Sequence, residues 1–184
     1  MKRVIFLDRD GVINKYPGDR NYVTSVKGFR FIRGAKLALR RLRQAGYKLF
    51  VISNQAGVSK GIYSKKTLDE ITRNMLNKLA KEKTGIQGVY YCIHREEDNC
   101  ACRKPKTGLI EKALLEHKIP RSSLKHSFFI GDTQRDIQAG KISGCRTIMV
   151  FSGKEKSANQ KNWDIQPDFT AQDLSQAADI ILKK

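Results

Sequence analysis

The sequence has few acidic residues and lacks any long hydrophobic run. Among its 184 residues, 18 Asp and Glu face 36 Lys and Arg, which gives a formal net charge of +18. The apolar run that begins at Val4 ends at Asp8, too early for a signal peptide or a membrane-spanning helix. Internal repeats, low-complexity tracts and linkers are also missing. We therefore expect a single cytoplasmic domain over residues 1–184.

The basic residues are spread along the chain. They form no long basic block, and no ladder of aromatic and basic residues suits the stacking of nucleic-acid bases. We interpret the charge as a solvated surface around a site for an anionic small molecule, in a protein that is a monomer and has no membrane partner. Binding of nucleic acid by the basic surface is the alternative.

Hydrophobic segments alternate with amphipathic segments along the chain. Strands are predicted at residues 3–8, 48–53, 88–92, 127–131 and 146–151. Helices are predicted at residues 34–45, 65–83, 107–117, 135–143 and 173–182, with Ser64 as an N-cap and Gly46 and Gly144 as stops. The alternation predicts an α/β protein, a Rossmann-like three-layer fold with a central, mostly parallel sheet. No segment is long enough for a separate cap domain, so the loops should shape a rather open site.

Three predicted strands end in polar groups that suit one metal and phosphate site. These groups are Asp8 and Asp10 after the first strand, Ser53 after the second, and Asp132 and Asp136 after the fourth. In open α/β sheets, ligands bind at the carboxyl ends of strands. Paired carboxylates bind Mg²⁺, and they can share the roles of nucleophile and proton carrier. Polar strand ends are common, but their agreement at three strands predicts phosphoryl transfer.

The order Asp-x-Asp-Gly, Ser-Asn, Lys and Gly-Asp-x-x-x-Asp resembles the haloacid dehalogenase-like phosphohydrolases over nearly the whole chain. The resemblance implies that Asp8 is the nucleophile and forms an aspartyl-phosphate. Asp10 would protonate the leaving oxygen and then activate water. Ser53 and Lys104 would bind the transferring phosphoryl group.

The resemblance also implies a Mg²⁺ ion. Its ligands would be Asp8, the backbone carbonyl of Asp10 and Asp132, and Asp136 would orient the site from behind. A phosphate dianion repels a carboxylate nucleophile, so Mg²⁺ and Lys104 must neutralise charge before attack.

Three of the four cysteines and one of the three histidines lie within eleven positions, as Cys92, His94, Cys100 and Cys102. A set of thiolates and an imidazole at this density suits tetrahedral Zn²⁺. Disulfides are not expected in a cytosolic protein, and Cys-x-Cys pairs make poor ones. A catalytic thiol stays open, although no second histidine flanks the cluster. We predict a structural zinc-bound loop that fixes Arg103 and Lys104.

This loop narrows the resemblance to the branch that holds D-glycero-D-manno-heptose 1,7-bisphosphate 7-phosphatases and the phosphatase domain of histidinol-phosphate phosphatase. Segments 19–23, 29–35 and 53–58 are similar to the heptose enzymes. The resemblance implies substrate contacts from Asp19, Arg20, Asn21, Tyr22, Ser53, Asn54, Gln55, Ala56, Arg103, Lys104 and Thr133. Arg20-Asn21 and Thr133 depart from the heptose pattern, and the histidinol-phosphate relative shares the short gap between His94 and Cys100.

The expected activity is Mg²⁺-dependent hydrolysis of a phosphomonoester, and the resemblance favours the 7-phosphate of a heptose 1,7-bisphosphate. Three alternatives stay open. The chain could act on histidinol phosphate, it could be a polynucleotide 3′-phosphatase that uses the +18 charge, or it could be a zinc-stabilised binding module without activity.

Overall fold

The computed structural model describes residues 3–183, so residues 1, 2 and 184 of the predicted domain lie outside the described residues. Within this range a six-stranded sheet is formed by β1 (Val4–Leu7), β2 (Lys48–Asn54), β3 (Gly88–Cys92), β4 (Phe128–Gly131), β5 (Arg146–Val150) and β6 (Phe169–Ala171). The helices are α1 (Ala35–Gln44), α2 (Lys65–Lys81), α3 (Gly108–Glu116), α4 (Gln134–Ser143) and α5 (Leu174–Leu182). Two short 3₁₀-helices lie at Arg121–His126 and Ser157–Asn162.

The strand order of the sheet is β3-β2-β1-β4-β5-β6, and each neighbouring pair is parallel. The chain therefore runs outward from β1 to β3, and then returns to the other side of β1 and continues to β6. Strands β1 and β4 lie side by side at the point where the order reverses. A crevice outside the carboxyl ends of the strands forms at such a point, and this position is where α/β proteins bind ligands.

Alternate residues of the strands serve two hydrophobic layers. In β1, Ile5 and Leu7 pack with helices α1, α2 and α5 on one face. Val4 and Phe6 pack with α3 and α4 on the other face. This division follows from the period of two in a strand, and it produces the predicted three-layer α/β architecture.

The predicted strands and helices are all present, and their bounds lie within two residues of the prediction. The Ser64 hydroxyl accepts a hydrogen bond from the Thr67 backbone N–H at 3.0 Å, so Ser64 is the N-cap of α2. Gly144 ends α4 at φ 85°, a left-handed conformation that glycine adopts readily.

The sequence prediction missed β6 and the two 3₁₀-helices. Strand β6 has three residues, too few to show an alternating pattern. It pairs with β5 and forms one edge of the sheet, with Phe169 opposite Ile148.

Between residues 3 and 183 no segment forms a separate cap domain, as predicted. No helix in the same range combines the length and the hydrophobicity needed to cross a bilayer.

Candidate active site

Three carboxylates converge where β1 and β4 end. Asp8 follows β1, and its backbone N–H donates to the Ile130 carbonyl of β4 at 2.9 Å. Asp132 follows β4, and Asp136 lies in the first turn of α4. Oxygen atoms of these three side chains lie within 4.8 Å of one another, and all three residues are buried. Such a set of hard oxygen ligands is suited to a divalent cation.

A buried lysine holds two of these carboxylates. The Lys104 side chain is 3% exposed, and its Nζ lies 2.8 Å from Asp8 Oδ1 and 2.5 Å from Asp136 Oδ1. The same ammonium donates to the Ile52 carbonyl in β2 at 2.8 Å. Its position is therefore fixed from three sides, directly beside the carboxylate predicted to attack phosphorus.

The backbone of Lys104 is fixed by Asn54, at the end of β2. Asn54 Oδ1 accepts from the Lys104 N–H at 3.0 Å, and Asn54 Nδ2 donates to the Lys104 carbonyl at 3.1 Å. Asn54, predicted as a substrate contact, thus has a structural task as well. It connects the loop that carries Lys104 to the central sheet.

Crowding of negative charge changes the ionisation of the site. Burial raises the pKa of Asp8 to about 6, and Asp136 and Asp10 add to the rise while Lys104 opposes it. Burial, with the charges of Asp8 and Asp136, also raises the pKa of Asp132 well above its usual value. Burial disfavours the charged form of Lys104, but the two adjacent carboxylates raise its pKa and keep it cationic. A bound cation would relieve this repulsion.

Asp10 lies at the same edge, but its carboxylate is held by a separate group of donors. Arg9 contacts both oxygens, with Nη2 at 3.1 Å from Oδ1 and 2.9 Å from Oδ2. Asn14 Nδ2 donates to Oδ1 at 2.8 Å, and Gln55 Nε2 donates to Oδ2 at 2.8 Å. Burial alone would raise the pKa of Asp10, but Arg9, Asn14 and Gln55 hold it below its usual value.

Asp132 is seated between two glycines. A Cβ atom on Gly11 would lie 2.2 Å from Asp132 Oδ2, and one on Gly153 would lie 2.0 Å from the same oxygen. The Lys154 backbone N–H donates to this oxygen at 2.8 Å. No side chain fits at either glycine unless the carboxylate moves, so both positions are tied to the placement of Asp132.

The start of α4 places Asp136. Its Oδ2 accepts from the Thr133 N–H at 3.0 Å and from the Thr133 hydroxyl at 2.6 Å, a reciprocal cap of the helix. Asp136 therefore joins the helix end to Lys104. Its role in orienting the site stays a prediction.

An open cleft of about 410 Å³ lies over these groups. Of the predicted substrate contacts, those that line it are Asn21, Tyr22, Asn54, Arg103, Lys104 and Thr133, together with Asp8, Asp10, Asp132 and Asp136. Five predicted contacts are not among its lining residues, namely Asp19, Arg20, Ser53, Gln55 and Ala56.

The five residues outside the cleft lining fall into two groups. Ser53, Gln55 and Ala56 are buried, and the Ser53 hydroxyl accepts from Gln55 Nε2 at 3.1 Å. Asp19 and Arg20 are exposed on the loop after β1. Asp19 accepts from the Tyr16 hydroxyl at 2.6 Å and lies 3.4 Å from the Lys154 ammonium, so it helps to form the rim. Roles for these five residues in binding stay predictions.

Sequence reasoning missed several residues that the structure brings to the site. Arg9 and Asn14 contact Asp10, and the cleft is also lined by Tyr16, Pro17, Gln134, Arg135, Lys154 and Glu155. The pattern Asp-Arg-Asp-Gly offered a signal for Arg9, because it stands between two aspartates. Gln134 and Arg135 begin α4, whereas the other four lie in irregular loops, where the sequence gives no periodicity that could place them.

The predicted zinc ligands form a compact cluster beside the cleft. Cys92 Sγ lies 3.6 Å from Cys100 Sγ and 3.7 Å from His94 Nδ1. Cys102 Sγ lies 3.4 Å from Cys100 Sγ and 3.2 Å from His94 Nδ1. A tetrahedron with metal–ligand bonds of about 2.0–2.3 Å has edges of roughly 3.3–3.8 Å, so the four atoms fit the coordination shell of Zn²⁺. All four cysteines of the chain are free thiols.

The cluster is joined to the cleft through the backbone and one arginine. Cys92 ends β3, and its carbonyl accepts from the Gln55 N–H at 2.7 Å. Arg103 Nη1 lies 3.4 Å from the His94 carbonyl. Gly108 lets the loop close, because a Cβ there would lie 2.5 Å from the Ala101 carbonyl oxygen.

Comparison with known proteins gives consistent results. Residues 101–177 match the HAD-hydrolase-like family. A D-glycero-beta-D-manno-heptose-1,7-bisphosphate 7-phosphatase of Helicobacter pylori strain J99 is 42% identical over 139 residues, which are 75% of this chain and 76% of that protein. A protein with the same name from Pasteurella multocida is 36% identical over 176 residues, which are 90% of this chain and 92% of that protein.

A solved structure is similar over almost the whole chain. It is the D,D-heptose 1,7-bisphosphate phosphatase of B. bronchiseptica complexed with magnesium and phosphate, with a TM-score of 0.89, 28% identity and 98% of each chain covered. With the converging carboxylates, the buried lysine and these relatives, the chain belongs to the haloacid dehalogenase-like hydrolases and is a phosphatase of that family.

Proposed function

We propose that the chain is a Mg²⁺-dependent phosphatase that removes the 7-phosphate of D-glycero-D-manno-heptose 1,7-bisphosphate through an aspartyl-phosphate. Asp8 attacks phosphorus while the bond to the ester oxygen breaks. Asp10, whose neighbours favour its ionised form, must first take up a proton from solvent, and it then gives that proton to the ester oxygen. Asp10 then takes a proton from a water molecule that attacks the phosphoryl group, which releases phosphate and restores Asp8. The observation that carries the proposal is the contact of 2.8 Å between Lys104 Nζ and Asp8 Oδ1, beside Asp132 and Asp136.

The buried charges fit a divalent metal ion. If all four carboxylates are ionised, Asp8, Asp10, Asp132 and Asp136 meet two buried cations, Arg9 and Lys104, which leaves a formal excess of two negative charges at the bottom of the cleft. Asp8 and Asp132 would hold Mg²⁺ with the Asp10 carbonyl, and Asp136 would support them. When bound, the ion neutralises phosphate charge and polarises the phosphoryl group. Lys104 keeps the Asp8 carboxylate in place for attack.

The second phosphate of a bisphosphate requires a cation farther out in the cleft. Arg103 lines the cleft, and its side chain is 18% exposed. Its contacts are long, at 3.4 Å to the His94 carbonyl and 3.9 Å to Glu96, and its Nε has no hydrogen-bond partner among residues 3–183. A guanidinium with donors to spare suits bidentate binding of phosphate. Arg103 is therefore our outer clamp, with Asn21 and Tyr22 on the opposite loop.

The proposal includes a Zn²⁺ ion on Cys92, His94, Cys100 and Cys102, which holds the loop that carries Arg103 and Lys104. Four protein ligands leave no open position, so the zinc is structural. We also propose that residues 1–184 form one phosphatase domain that works in the cytoplasm, where a biosynthetic sugar phosphate would be available.

A screen of phosphate release tests the substrate. The compounds are heptose 1,7-bisphosphate, histidinol phosphate and a 3′-phosphorylated DNA oligonucleotide, each assayed with and without Mg²⁺. We expect the largest kcat/KM for the heptose bisphosphate, with loss of the 7-phosphate alone. A larger kcat/KM for histidinol phosphate would identify that compound, and not the heptose bisphosphate, as the substrate. A larger kcat/KM for the oligonucleotide that falls steeply with salt concentration would instead indicate that the basic surface, with its net charge of +18, binds nucleic acid.

The Asp8→Asn variant tests the covalent step. It should lose turnover while its fold, its zinc content and its substrate affinity are kept. Retention of more than a few per cent of the activity would favour direct attack by water.

A further inference from the structure

Arg9 is among the largest fully buried side chains of the described residues, with 0% exposure, and it lies next to a carboxylate that faces the cleft. It contacts Asp10 through Nε at 3.3 Å and through Nη2 at 3.1 Å and 2.9 Å. Its guanidinium stacks near the ring of Tyr91, with 5.6 Å between Cζ and the ring centroid. Because Arg9 is buried and does not line the cleft, it cannot bind a substrate directly.

A second layer of contacts fixes the orientation of the group. Arg9 Nη2 also donates to Gln55 Oε1 at 3.0 Å, and the Tyr63 hydroxyl donates to the same oxygen at 2.7 Å. With Oε1 occupied by two donors, Gln55 must present its Nε2 to Asp10 Oδ2, at 2.8 Å. The amide therefore acts as a rigid spacer between the arginine and the carboxylate.

Five donor contacts converge on the two oxygens of Asp10. Oδ1 accepts from Arg9 Nε, Arg9 Nη2 and Asn14, and Oδ2 accepts from Arg9 Nη2 and Gln55. An ionised carboxylate offers about four lone-pair sites, so these contacts saturate it and fix its rotation. A surface ion pair would leave such a side chain free to turn.

We infer that Arg9, together with Gln55, is a positioning residue that aims the Asp10 carboxyl at the ester oxygen and later at the attacking water. The inference rests on the proposed role of Asp10. Arg9 forms no bond with the substrate and exchanges no proton; its effect passes through Asp10. A carboxyl that carries a proton accepts fewer hydrogen bonds than a carboxylate, so one of the five contacts is released when Asp10 is protonated.

The test varies how strongly the leaving group needs a proton. The substrates are 4-nitrophenyl phosphate, phenyl phosphate and glycerol 1-phosphate, in order of increasingly basic leaving oxygens. The variants are Arg9→Lys, which keeps the charge but loses the fork, and Gln55→Leu. The matched control is Arg146→Lys, because Arg146 lies at the amino end of β5, opposite to the carboxyl ends that carry the site, and stacks on Phe128.

We expect both variants to lower kcat/KM for 4-nitrophenyl phosphate by less than about threefold, and for glycerol 1-phosphate by about a hundredfold or more, with phenyl phosphate between them. Arg146→Lys should leave all three values near those of the unaltered protein. When Asp10→Asn is already present, adding Arg9→Lys should lower kcat/KM by less than about a further twofold, because the effect of Arg9 passes through the carboxyl that is then missing.

Two results would overturn the inference alone. In the first, Asp10→Asn lowers kcat/KM more for substrates with more basic leaving oxygens, but Arg9→Lys lowers it equally for all three substrates. The other is a full additional loss from Arg9→Lys in the Asp10→Asn background. An equal loss on the three substrates for Asp10→Asn itself would remove the proposed role of Asp10, and this inference with it.

Discussion

Lys104 forms an ion pair with Asp136 at 2.5 Å and reaches Asp8 at 2.8 Å with the same ammonium. One cation thus connects the end of β1 to the first turn of α4. Because Lys104 and Asp136 are both almost fully buried, water screens this pair little. The pair therefore affects both the stability of the protein and the geometry of the proposed nucleophile.

We expect Lys104→Met to abolish turnover and to lower the free energy of unfolding by about 3–5 kcal/mol, because it leaves buried carboxylates without their cation. Urea denaturation measures the stability. Lys106→Met is the control, since Lys106 is exposed and its ammonium bonds to Asn99 in the same loop. It should change stability by no more than about 1 kcal/mol. A stable Lys104→Met protein would mean that the carboxylates tolerate one another.

Gly11→Ala should impair metal binding through a steric clash with Asp132. Gly61→Ala is a matched control, because Gly11 and Gly61 have φ of 79° and 70°, but a Cβ on Gly61 would meet nothing within 4 Å. Each substitution should cost about 1–2 kcal/mol of stability through backbone strain. Only Gly11→Ala should raise the Mg²⁺ concentration for half-maximal activity, by about tenfold or about 1.4 kcal/mol. Equal Mg²⁺ dependence in the two variants would contradict the clash.

Purified protein should contain about one zinc per chain, and the amount should not depend on Mg²⁺. Cys102→Ser should lower the zinc content and the stability, and it should raise KM because Arg103 and Lys104 are displaced. Cys145→Ser is the control, since Cys145 is a buried free thiol that is not among the four clustered ligands, and the zinc content of this variant should stay unchanged. Elemental analysis by mass spectrometry measures zinc. A disulfide between Cys92 and Cys102 in place of metal would refute the site.

Arg103→Ala should lower kcat/KM for heptose 1,7-bisphosphate by about ten- to a hundredfold, because one charged contact is worth roughly 1.5–3 kcal/mol. A monophosphate lacks the second group and should lose far less. Arg95→Ala is the control, because Arg95 lies in the same loop but donates to the Ser59 carbonyl and does not line the cleft. Equal losses on both substrates would assign Arg103 to the transferred phosphate.

Asp168 should make stability depend on pH. Burial opposes its ionisation, but hydrogen bonds of 2.7 Å from Thr147 N and Oγ1, with the Lys141 ammonium, hold its pKa below the usual value. The folded state therefore binds fewer protons than the unfolded state. The stabilisation is complete above the unfolded pKa of about 3.9, and it is lost as the pH falls below that value.

Asp168→Asn should accordingly cost about 1 kcal/mol at pH 7, a discounted figure because the carboxylate is partly exposed. The difference from the unaltered protein should shrink as the pH falls below the unfolded pKa of about 3.9, because the unfolded state gains its proton before the folded state does. Thermal denaturation across this range measures it. If the difference in stability between Asp168→Asn and the unaltered protein stayed constant across this pH range, the charge of Asp168 would not contribute to stability.

The chemical groups at the strand ends could be predicted from sequence, because a buried strand is a hydrophobic run and its end shows as a sudden Asp or Ser. Asp8 and Asp132 were located in this way, and the close spacing of Cys92, His94, Cys100 and Cys102 revealed their cluster. The strands and helices followed from their periodicity. These features are local in the chain, so the sequence displays them directly.

The environment of Asp10 could not be predicted in the same way. Arginine is rarely buried, so the position of Arg9 between two aspartates places it near the site but does not indicate that its side chain turns inward. The amide of Gln55 and the side chain of Asn14 reach Asp10 only after the chain has folded. The buried state of Ser53 and Ala56 was missed for a related reason, because family resemblance gives identity of residues but not their exposure.

The division between sheet and loops has a consequence for how such a protein can change over evolutionary time. Asp8 and Asp132 directly follow central strands, and Lys104 is tied to β2 through Asn54. The side chains of the rim residues Tyr16 and Lys154 are not part of the hydrophobic core, although the loop of Tyr16 also carries the core residues Val12 and Phe29. Mutations in the rim can therefore accumulate at small cost to folding, so one reaction could be retained while its repertoire of sugars diversifies.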